Sequence, residues 1–140
     1  MPQERRATLS DIDRLAEIRG AVRENRLSDP SSVTRADYED FVGRGRVWVR
    51  EAGGRIVGFS AGDDRDGAIW ALFVEEDFHG QGIGTALLAR ACGDFRREGF
   101  TKAHLTTDPG TAAERLYRKL GWSFIGMTED GEYRFELSLR

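Results

Sequence analysis

The sequence predicts one mixed α/β domain, spanning residues 1–140, built around a single sheet. Short runs rich in β-branched and aromatic residues alternate with segments whose apolar residues recur at helical spacing. The run AIWALFV, Ala68 to Val74, is nearly all apolar, which is typical of a strand buried on both faces. Glycine-rich turns join the strands before and after it. These observations predict the element order βααβββαβαββ.

The first third of the chain predicts a short strand followed by two helices. The strand is predicted over residues 5–9, and Ser10 is expected to cap the first helix with Asp13 as its capping-box partner. The apolar face of that helix is expected to consist of Ile12, Leu15, Ala16 and Val22. Thr34 and Asp37 repeat the capping pattern, which predicts the start of the second helix.

The central third predicts three strands and a long helix. The runs RVWVRE, RIVGFSA and AIWALFV are the strands, and the turns Gly53-Gly54 and GDDRDG separate them. After Gly84, the apolar residues follow helical spacing, and Gly99 is a plausible stop. The residues on that helical face are Leu87, Leu88, Ala91, Cys92 and Phe95.

The last third predicts a strand, a helix and a closing hairpin. KAHLTT is the strand, TAAERLYRKL is the helix, and WSFIGM and EYRFELSL are the paired strands around Asp130-Gly131. Apolar and polar residues alternate along the final strand, which indicates that one of its faces is buried.

Composition narrows the class of protein. The net charge is −3, which argues against nonspecific binding to nucleic acid and weakly favours a cationic or neutral small partner. The single cysteine, Cys92, excludes an internal disulfide. The N-terminus lacks an apolar signal core, and no apolar run approaches the length of a membrane span. We therefore expect a cytoplasmic protein with no membrane partner.

The stretch HGQGIGTALL, His79 to Leu88, has three glycines in five residues directly before a predicted helix. A buried strand, a glycine loop and a helix N-terminus together form a recurrent anion site, because free backbone N–H groups and the helix dipole favour negative charge. The alternative is a tight structural loop. No lysine completes a Walker pattern, and Thr85 stands where a dinucleotide fingerprint needs its third glycine.

Two motifs resemble the GNAT superfamily of N-acetyltransferases. LFVEEDFHGQGIGTALL is similar to its acetyl-CoA signature, [RQ]-x-x-G-x-[GA], and AERLYRKLGW is similar to its later helix-to-strand segment. The predicted element order also matches that family, so the resemblance extends over nearly the whole chain. It implies a GNAT-like fold and an acetyl-CoA-dependent N-acetyltransferase without a metal.

The resemblance also implies the coenzyme site. The backbone before the loop would pair with the pantetheine arm, the loop amides would hold the pyrophosphate, and residues 102–106 would splay away to open a slot. An N–H near Phe73 or Val74 would stabilise the oxyanion while an amine attacks directly, with no covalent enzyme intermediate. The expected coenzyme-binding residues are Leu72, Phe73, Val74, His79, Gly80, Gln81, Gly82, Ile83, Gly84 and Thr85.

Two of the implied roles have alternatives. Tyr117 matches the tyrosine that often protonates the departing thiolate in this family, but Leu116 and Leu120 at helical spacing also suit a core aromatic. His79 replaces the usual arginine or glutamine of the first motif position. It is expected to contact phosphate, and the alternative is a surface loop residue.

The acceptor is the least specified part of the hypothesis. Members of the family commonly build the acceptor site between the first two helices, which here contributes Arg23, Glu24 and Asn25; the alternative is an exposed loop. Glu132 and Glu136 are further candidates for binding a cationic acceptor. A small amine or an exposed protein amine fits equally, and a homodimer is possible because dimers are frequent in the family. A non-catalytic acyl-CoA sensor and an interaction protein with a purely structural glycine loop are the competing functions.

Overall fold

The computed structural model describes residues 4–21 and 33–140, which form one seven-stranded mixed sheet with helices on both faces. The strands are β1 (Glu4–Arg6), β2 (Val47–Ala52), β3 (Arg55–Asp63), β4 (Ala68–Val74), β5 (Lys102–Thr107), β6 (Ser123–Met127) and β7 (Tyr133–Ser138). The helices are α1 (Ile12–Ala21), α2 (Arg35–Gly43), α3 (Ile83–Arg97) and α4 (Ala112–Lys119). The predicted element order is confirmed, and the strands lie in the order β1-β2-β3-β4-β5-β7-β6.

The start of α1 differs from the prediction. Strand β1 ends at Arg6, and a short 3₁₀ turn over Leu9–Asp11 leads into the helix. Thr8, not Ser10, is the N-cap residue, and its N–H donates to the Asp11 carboxylate at 2.8 Å. The capping pair therefore lies two residues earlier than predicted. The sequence pattern does not distinguish the two positions, because Thr8 and Asp11 have the same three-residue spacing as Ser10 and Asp13.

The apolar face of α1 is also partly different. Ile12 and Leu15 are buried as predicted, but Ala16 is exposed and Ile18 completes the buried stripe. Val22 lies outside the described residues. The second predicted cap is confirmed, since the Thr34 side chain accepts the Asp37 N–H.

The two faces of the sheet carry different helices. On β3, Phe59 and Ala61 pack in one cluster with α1 and α2, whereas Val57 packs with Ile83 and Leu87 of α3. Helix α4 packs on the same side as α3, in a cluster that includes β5 and β7. Two layers of core therefore enclose the central strands, as the apolar run of β4 predicts.

The sheet splits between β4 and β5. Their parallel pairing consists of one residue pair, Ala68 with His104, although β4 continues to Val74. The register of β4 on β3 shifts between Ala71 and Ile69, which leaves Trp70 as an unmatched bulge. Because a bulge bends its strand, β4 turns away from β5 just after their last pair. The splayed strands that the family resemblance implies are thus present.

Candidate active site

A cavity of about 470 Å³ lies beside the carboxyl end of β4, between the glycine loop and α4. Nine of the ten expected coenzyme-binding residues line it, whereas Gln81 does not. Its lining is Leu72, Phe73, Val74, Phe78, His79, Gly80, Gly82, Ile83, Gly84, Thr85, Thr111, Ala112, Ala113, Arg115, Leu116 and Lys119. The fold therefore brings the strand, the loop and the two helix N-termini to one hollow.

The free edge of β4 presents backbone groups to this cavity. Glu75 N–H donates to Val57 O of β3 at 2.9 Å. The carbonyl and the N–H of a trans peptide point in opposite directions, so Val74 O points away from β3 and into the gap. Backbone groups alternate along a strand, so Leu72 and Val74 face the gap and Phe73 N–H faces β3. Of the two N–H groups considered from sequence, only that of Val74 faces the gap.

The glycine loop has a backbone that other residues rarely adopt. Gly80 and Gly82 have φ angles of 81° and 80°, and a Cβ placed on either would meet no heavy atom within 4 Å. Gly82 is the N-cap of α3, whose first turn contains no acidic residue. The first N–H groups of α3 lack acceptors within the helix, so the loop offers bare donors and partial positive charge to an anion.

His79 makes a specific contact with the free edge of β4. Its Nε2 lies 2.9 Å from Val74 O. A carbonyl can only accept, so Nε2 carries the proton in this arrangement. The histidine lines the cavity, but its Nε2 is hydrogen-bonded to β4. Nδ1 is the ring nitrogen that is left to face a ligand.

The first turn of α4 forms the opposite wall. Thr111 caps the helix by accepting the Glu114 N–H at 3.1 Å, and the Glu114 carboxylate accepts the Gly110 N–H at 2.7 Å. Arg115 and Lys119, four residues apart, add two cations to the cavity lining. Neither residue was predicted from the sequence, although their i, i+4 spacing on the helix of the AERLYRKLGW motif was a usable signal.

Close packing joins the two walls. A Cβ at Gly84 would lie 3.3 Å from Leu116 Cδ2 and 3.8 Å from Val74 Cγ2. The absent side chain at Gly84 therefore allows the first turn of α3 to approach α4, in addition to any role toward a ligand.

Tyr117 is buried in the aromatic core behind this wall and is not part of the cavity lining. Its ring centroid lies 5.6 Å from that of Trp122 and 6.1 Å from that of Phe135. Burial, with a smaller contribution from Cys92, raises the pKa of the phenol. The hydroxyl therefore keeps its proton at neutral pH, as a proton donor must.

Glu75 and Cys92 have structural roles. Glu75, from the acidic run beside the loop, pairs with Arg14 and with Arg55. Burial raises the pKa of the Cys92 thiol to about 11, so it behaves as a small apolar residue and not as a nucleophile.

Of the five proposed acceptor residues, the structure describes only Glu132 and Glu136. Arg23, Glu24 and Asn25 lie outside the described residues. Glu136 Oε1 lies 3.6 Å from Lys102 Nζ, so these side chains form an ion pair. Burial, with smaller contributions from Asp108 and Asp130, raises the pKa of Glu132.

The described part of the chain contains neither a metal-binding cluster nor a membrane-spanning helix. Residues 4–21 and 33–140 contain no cluster of three or more histidine, cysteine or acidic residues that could hold a metal ion. The helices within these ranges are all too short or too polar to cross a membrane.

Comparisons with known proteins agree with this architecture. A family model described as the acetyltransferase (GNAT) family matches residues 12–122. An N-acetyltransferase from Staphylococcus aureus superposes with a TM-score of 0.81 at 19% identity, covering 98% of both chains. A PaiA N-acetyltransferase from Thermoplasma acidophilum, solved with coenzyme A, gives 0.76 at 15% identity over 99% of both chains.

A third solved structure is the ribosomal-protein-S18-alanine N-acetyltransferase from Escherichia coli. Its TM-score is 0.76 at 18% identity, covering 99% of this chain and 94% of the other. A search of curated proteins found no match. At these identities, the structural likeness establishes the fold, and the family match extends over most of the chain.

Proposed function

Because the chain belongs to the acetyltransferase (GNAT) family, we propose that it transfers an acetyl group from acetyl-CoA to a primary amine. The observation that carries this proposal is the cavity at the split between β4 and β5, with a glycine loop at one end and a free strand edge along its side. These are a diphosphate cradle and a surface that can hydrogen-bond an extended amide chain.

The cavity fits coenzyme A chemically. The bare N–H groups at the start of α3 suit the pyrophosphate, and Gly80 and Gly82 leave open space where side chains would obstruct it. Arg115 and Lys119 on the opposite wall add positive charge toward phosphate groups. The gap-facing backbone of Leu72 suits an amide of the pantetheine arm, whereas Val74 O is already bonded to His79.

The residues of the chain then have assignable roles. When bound, acetyl-CoA supplies the activated acetyl thioester. Val74 N–H, which faces the gap, would donate to the thioester oxygen as negative charge develops there. The split sheet would hold the amine and the carbonyl carbon together, so that the amine attacks directly and no covalent bond to the enzyme is needed.

Proton transfer completes this proposal. The amine nitrogen forms the new bond to the acetyl carbon and loses a proton, while the carbon–sulfur bond breaks and the sulfur needs one. We assign the second transfer to the hydroxyl of Tyr117, whose burial keeps it protonated. The proton leaving the amine goes to water in this scheme, because the described cavity lining contains no carboxylate. The Tyr117 oxygen then regains a proton from water, which completes the cycle.

The acceptor side and the assembly also belong to the proposal. Arg23, Glu24 and Asn25 are retained as acceptor-site residues, and the acceptor is a small or protein amine. The single cysteine supports a cytoplasmic location. Exposed Phe124, Ile125 and Met127 on the edge strand β6 support a homodimer.

One observation favours a second candidate, a non-catalytic acyl-CoA-binding module. The described cavity lining contains neither a carboxylate that could act as a general base nor Tyr117. Two measurements separate the functions. Calorimetry with coenzyme A detects binding, and thiol release from acetyl-CoA across a panel of primary amines detects transfer. Binding with amine-dependent thiol release supports the enzyme, binding without release supports the module, and no binding contradicts both.

A further inference from the structure

The side chain of Arg19 is an unusual cation on α1. Its guanidinium carbon lies 4.8 Å from the ring centroid of Phe73 and 5.3 Å from that of Trp70, both on β4. Its Nη1 is buried and has no hydrogen-bond partner. Buried charges in proteins are normally paired, so this arrangement has an unfilled requirement for an anion.

The described carboxylates near α1 are committed elsewhere. Asp13 pairs with Arg35, and Glu17 pairs with Arg14. The Asp37 carboxylate accepts the Thr34 N–H at the start of α2. Within residues 4–21 and 33–140, Arg19 therefore has no ion pair of its own.

Burial lowers the pKa of Arg19, and the neighbouring Tyr38 hydroxyl and Asp37 offset this only in part. An arginine still remains charged in a protein. The aromatic rings stabilise the face of the cation and the Tyr38 hydroxyl accepts one hydrogen bond from it, but Nη1 on its N–H edge is left without an acceptor. An anion that reached this edge would satisfy both the charge and the open donor.

The position of Arg19 relates it to the split in the sheet. The coenzyme cavity is formed by α3 and α4, whereas Arg19 packs with Phe73 on the face covered by α1 and α2. Phe73 belongs to both, since it lines the cavity and its ring contacts the cation. Beyond Ala68, no β5 residue pairs with β4, so backbone pairing does not close the sheet between the α1 side and the cavity.

We propose that Arg19 binds a carboxylate of the acceptor, so that the preferred acceptors are amines that also carry a carboxylate. This inference rests on the proposed acetyl transfer and names its substrate class. The planar guanidinium matches a carboxylate, and the rings of Trp70 and Phe73 exclude water around the pair. The net charge of the whole chain weakly favours a cationic or neutral partner, but the local charge at the split is positive.

The test compares matched amines with the wild-type enzyme. Glycine, β-alanine and γ-aminobutyrate are each compared with the corresponding amide, which keeps the amine and the chain length but removes the charge. We expect kcat/KM for at least one acid to exceed that of its amide by more than about tenfold, because an unfilled charged donor rejects a ligand that lacks the anion. Equal rates for all three pairs would overturn the inference.

A pair of variants assigns the preference to Arg19. In Arg19→Gln, the acid-to-amide ratio of kcat/KM should fall to about one. Arg35→Gln is the control, because it removes an equal charge from an exposed pair on α2. A ratio that persists in folded Arg19→Gln, or falls equally in Arg35→Gln, contradicts the assignment. If Arg19→Gln does not fold, the same comparison is made with Arg19→Lys, which should reduce the ratio by altering the fork.

The outcome is separable from that of the proposed function. Thiol release with the neutral amides at the same rate as with the acids would retain the acetyltransferase and refute the carboxylate preference. No thiol release with any amine, from a protein that binds coenzyme A, would refute the transfer reaction and this inference together.

Discussion

At the scale of single residues, the glycine loop gives the sharpest prediction. Gly82→Val should abolish coenzyme A binding while the domain stays folded, because the side chain would enter open space beside the first turn of α3 and strain a backbone with φ of 80°. Gly131→Val is the matched control, since its φ of 87° carries a similar strain in the distant β6–β7 hairpin. Calorimetry of both folded variants checks this. Unchanged binding by Gly82→Val would rule out the phosphate role of the loop.

His79 tests how the loop contacts its ligand. His79→Arg should bind coenzyme A at least as tightly as the wild type near pH 8, because arginine keeps its charge there and offers a planar fork that matches phosphate. The advantage should shrink at high salt. His79→Ala also frees Val74 O, which the imidazole occupies. Identical affinities of the arginine and alanine variants at low salt would show that this side chain does not contact the coenzyme.

Tyr117 tests the proton-transfer step. Tyr117→Phe keeps the ring contacts with Trp122 and Phe135 and removes only the hydroxyl. We expect kcat to fall about ten- to a thousand-fold, with little change in coenzyme affinity or melting temperature. Steady-state kinetics under conditions where chemistry limits turnover checks this. An undiminished kcat would assign protonation of the thiolate to water or another group.

Site residues could be predicted from the sequence where their role depends on the local chain, and not where it depends on tertiary contacts. Glycines before a helix carry their meaning in the local chain, so Gly80 and Gly82 could be selected directly. The unpaired Nη1 of Arg19 depends on what α2 and β4 place around it, and no local pattern encodes that. Lys119 was predictable in part. Helical spacing places it one turn after Arg115, but the sequence does not tell that this face of the helix lines the cavity.

At the scale of elements, α3 and β3 form a close contact that can be tested by stability. A Cβ at Gly62 of β3 would lie 2.5 Å from Phe95 Cζ, so Gly62→Ala should lower the free energy of unfolding by about 1–3 kcal/mol. Gly93→Ala is the control on the same helix, where the nearest atom outside the helix backbone is Arg97 Nη1 at 3.5 Å. It should raise the free energy by up to about 1 kcal/mol, since alanine is the better helix former.

Denaturant unfolding monitored by circular dichroism gives both values. The account of α3 packing would be wrong if Gly62→Ala were neutral, or if the two substitutions had the same sign.

The elements themselves were largely predictable, but their pairing was not. The continuous apolar run predicted β4 as a strand buried on both faces, and the order of the elements followed from the apolar patterns and the turns. The capping pair of α1 was misplaced because Thr8 and Ser10 each begin a pattern with an aspartate three residues later. The split depends on the bulge at Trp70 and on a single pair between Ala68 and His104, which are tertiary features that composition does not specify.

At the scale of the whole molecule, the sheet separates two tasks. In the proposed function, helices α3 and α4 form the coenzyme side, and α1 and α2 cover the opposite face, where Arg19 lies. The split between β4 and β5 leaves the sheet without backbone pairing between the two sides. Under that proposal, this division would let the protein bring a large coenzyme and an amine together without a covalent intermediate.

The most direct test of this account is the stoichiometry of transfer. Acetyl-CoA is incubated with the protein and the amine panel, and the released thiol and the acetylated amine are quantified together by absorbance and mass spectrometry. We predict one thiol per acetylated amine, no release without amine, and loss of both signals in Gly82→Val. Coenzyme binding without any amine-dependent release would contradict the transfer reaction, and release that persists in folded Gly82→Val would contradict its location at this cavity.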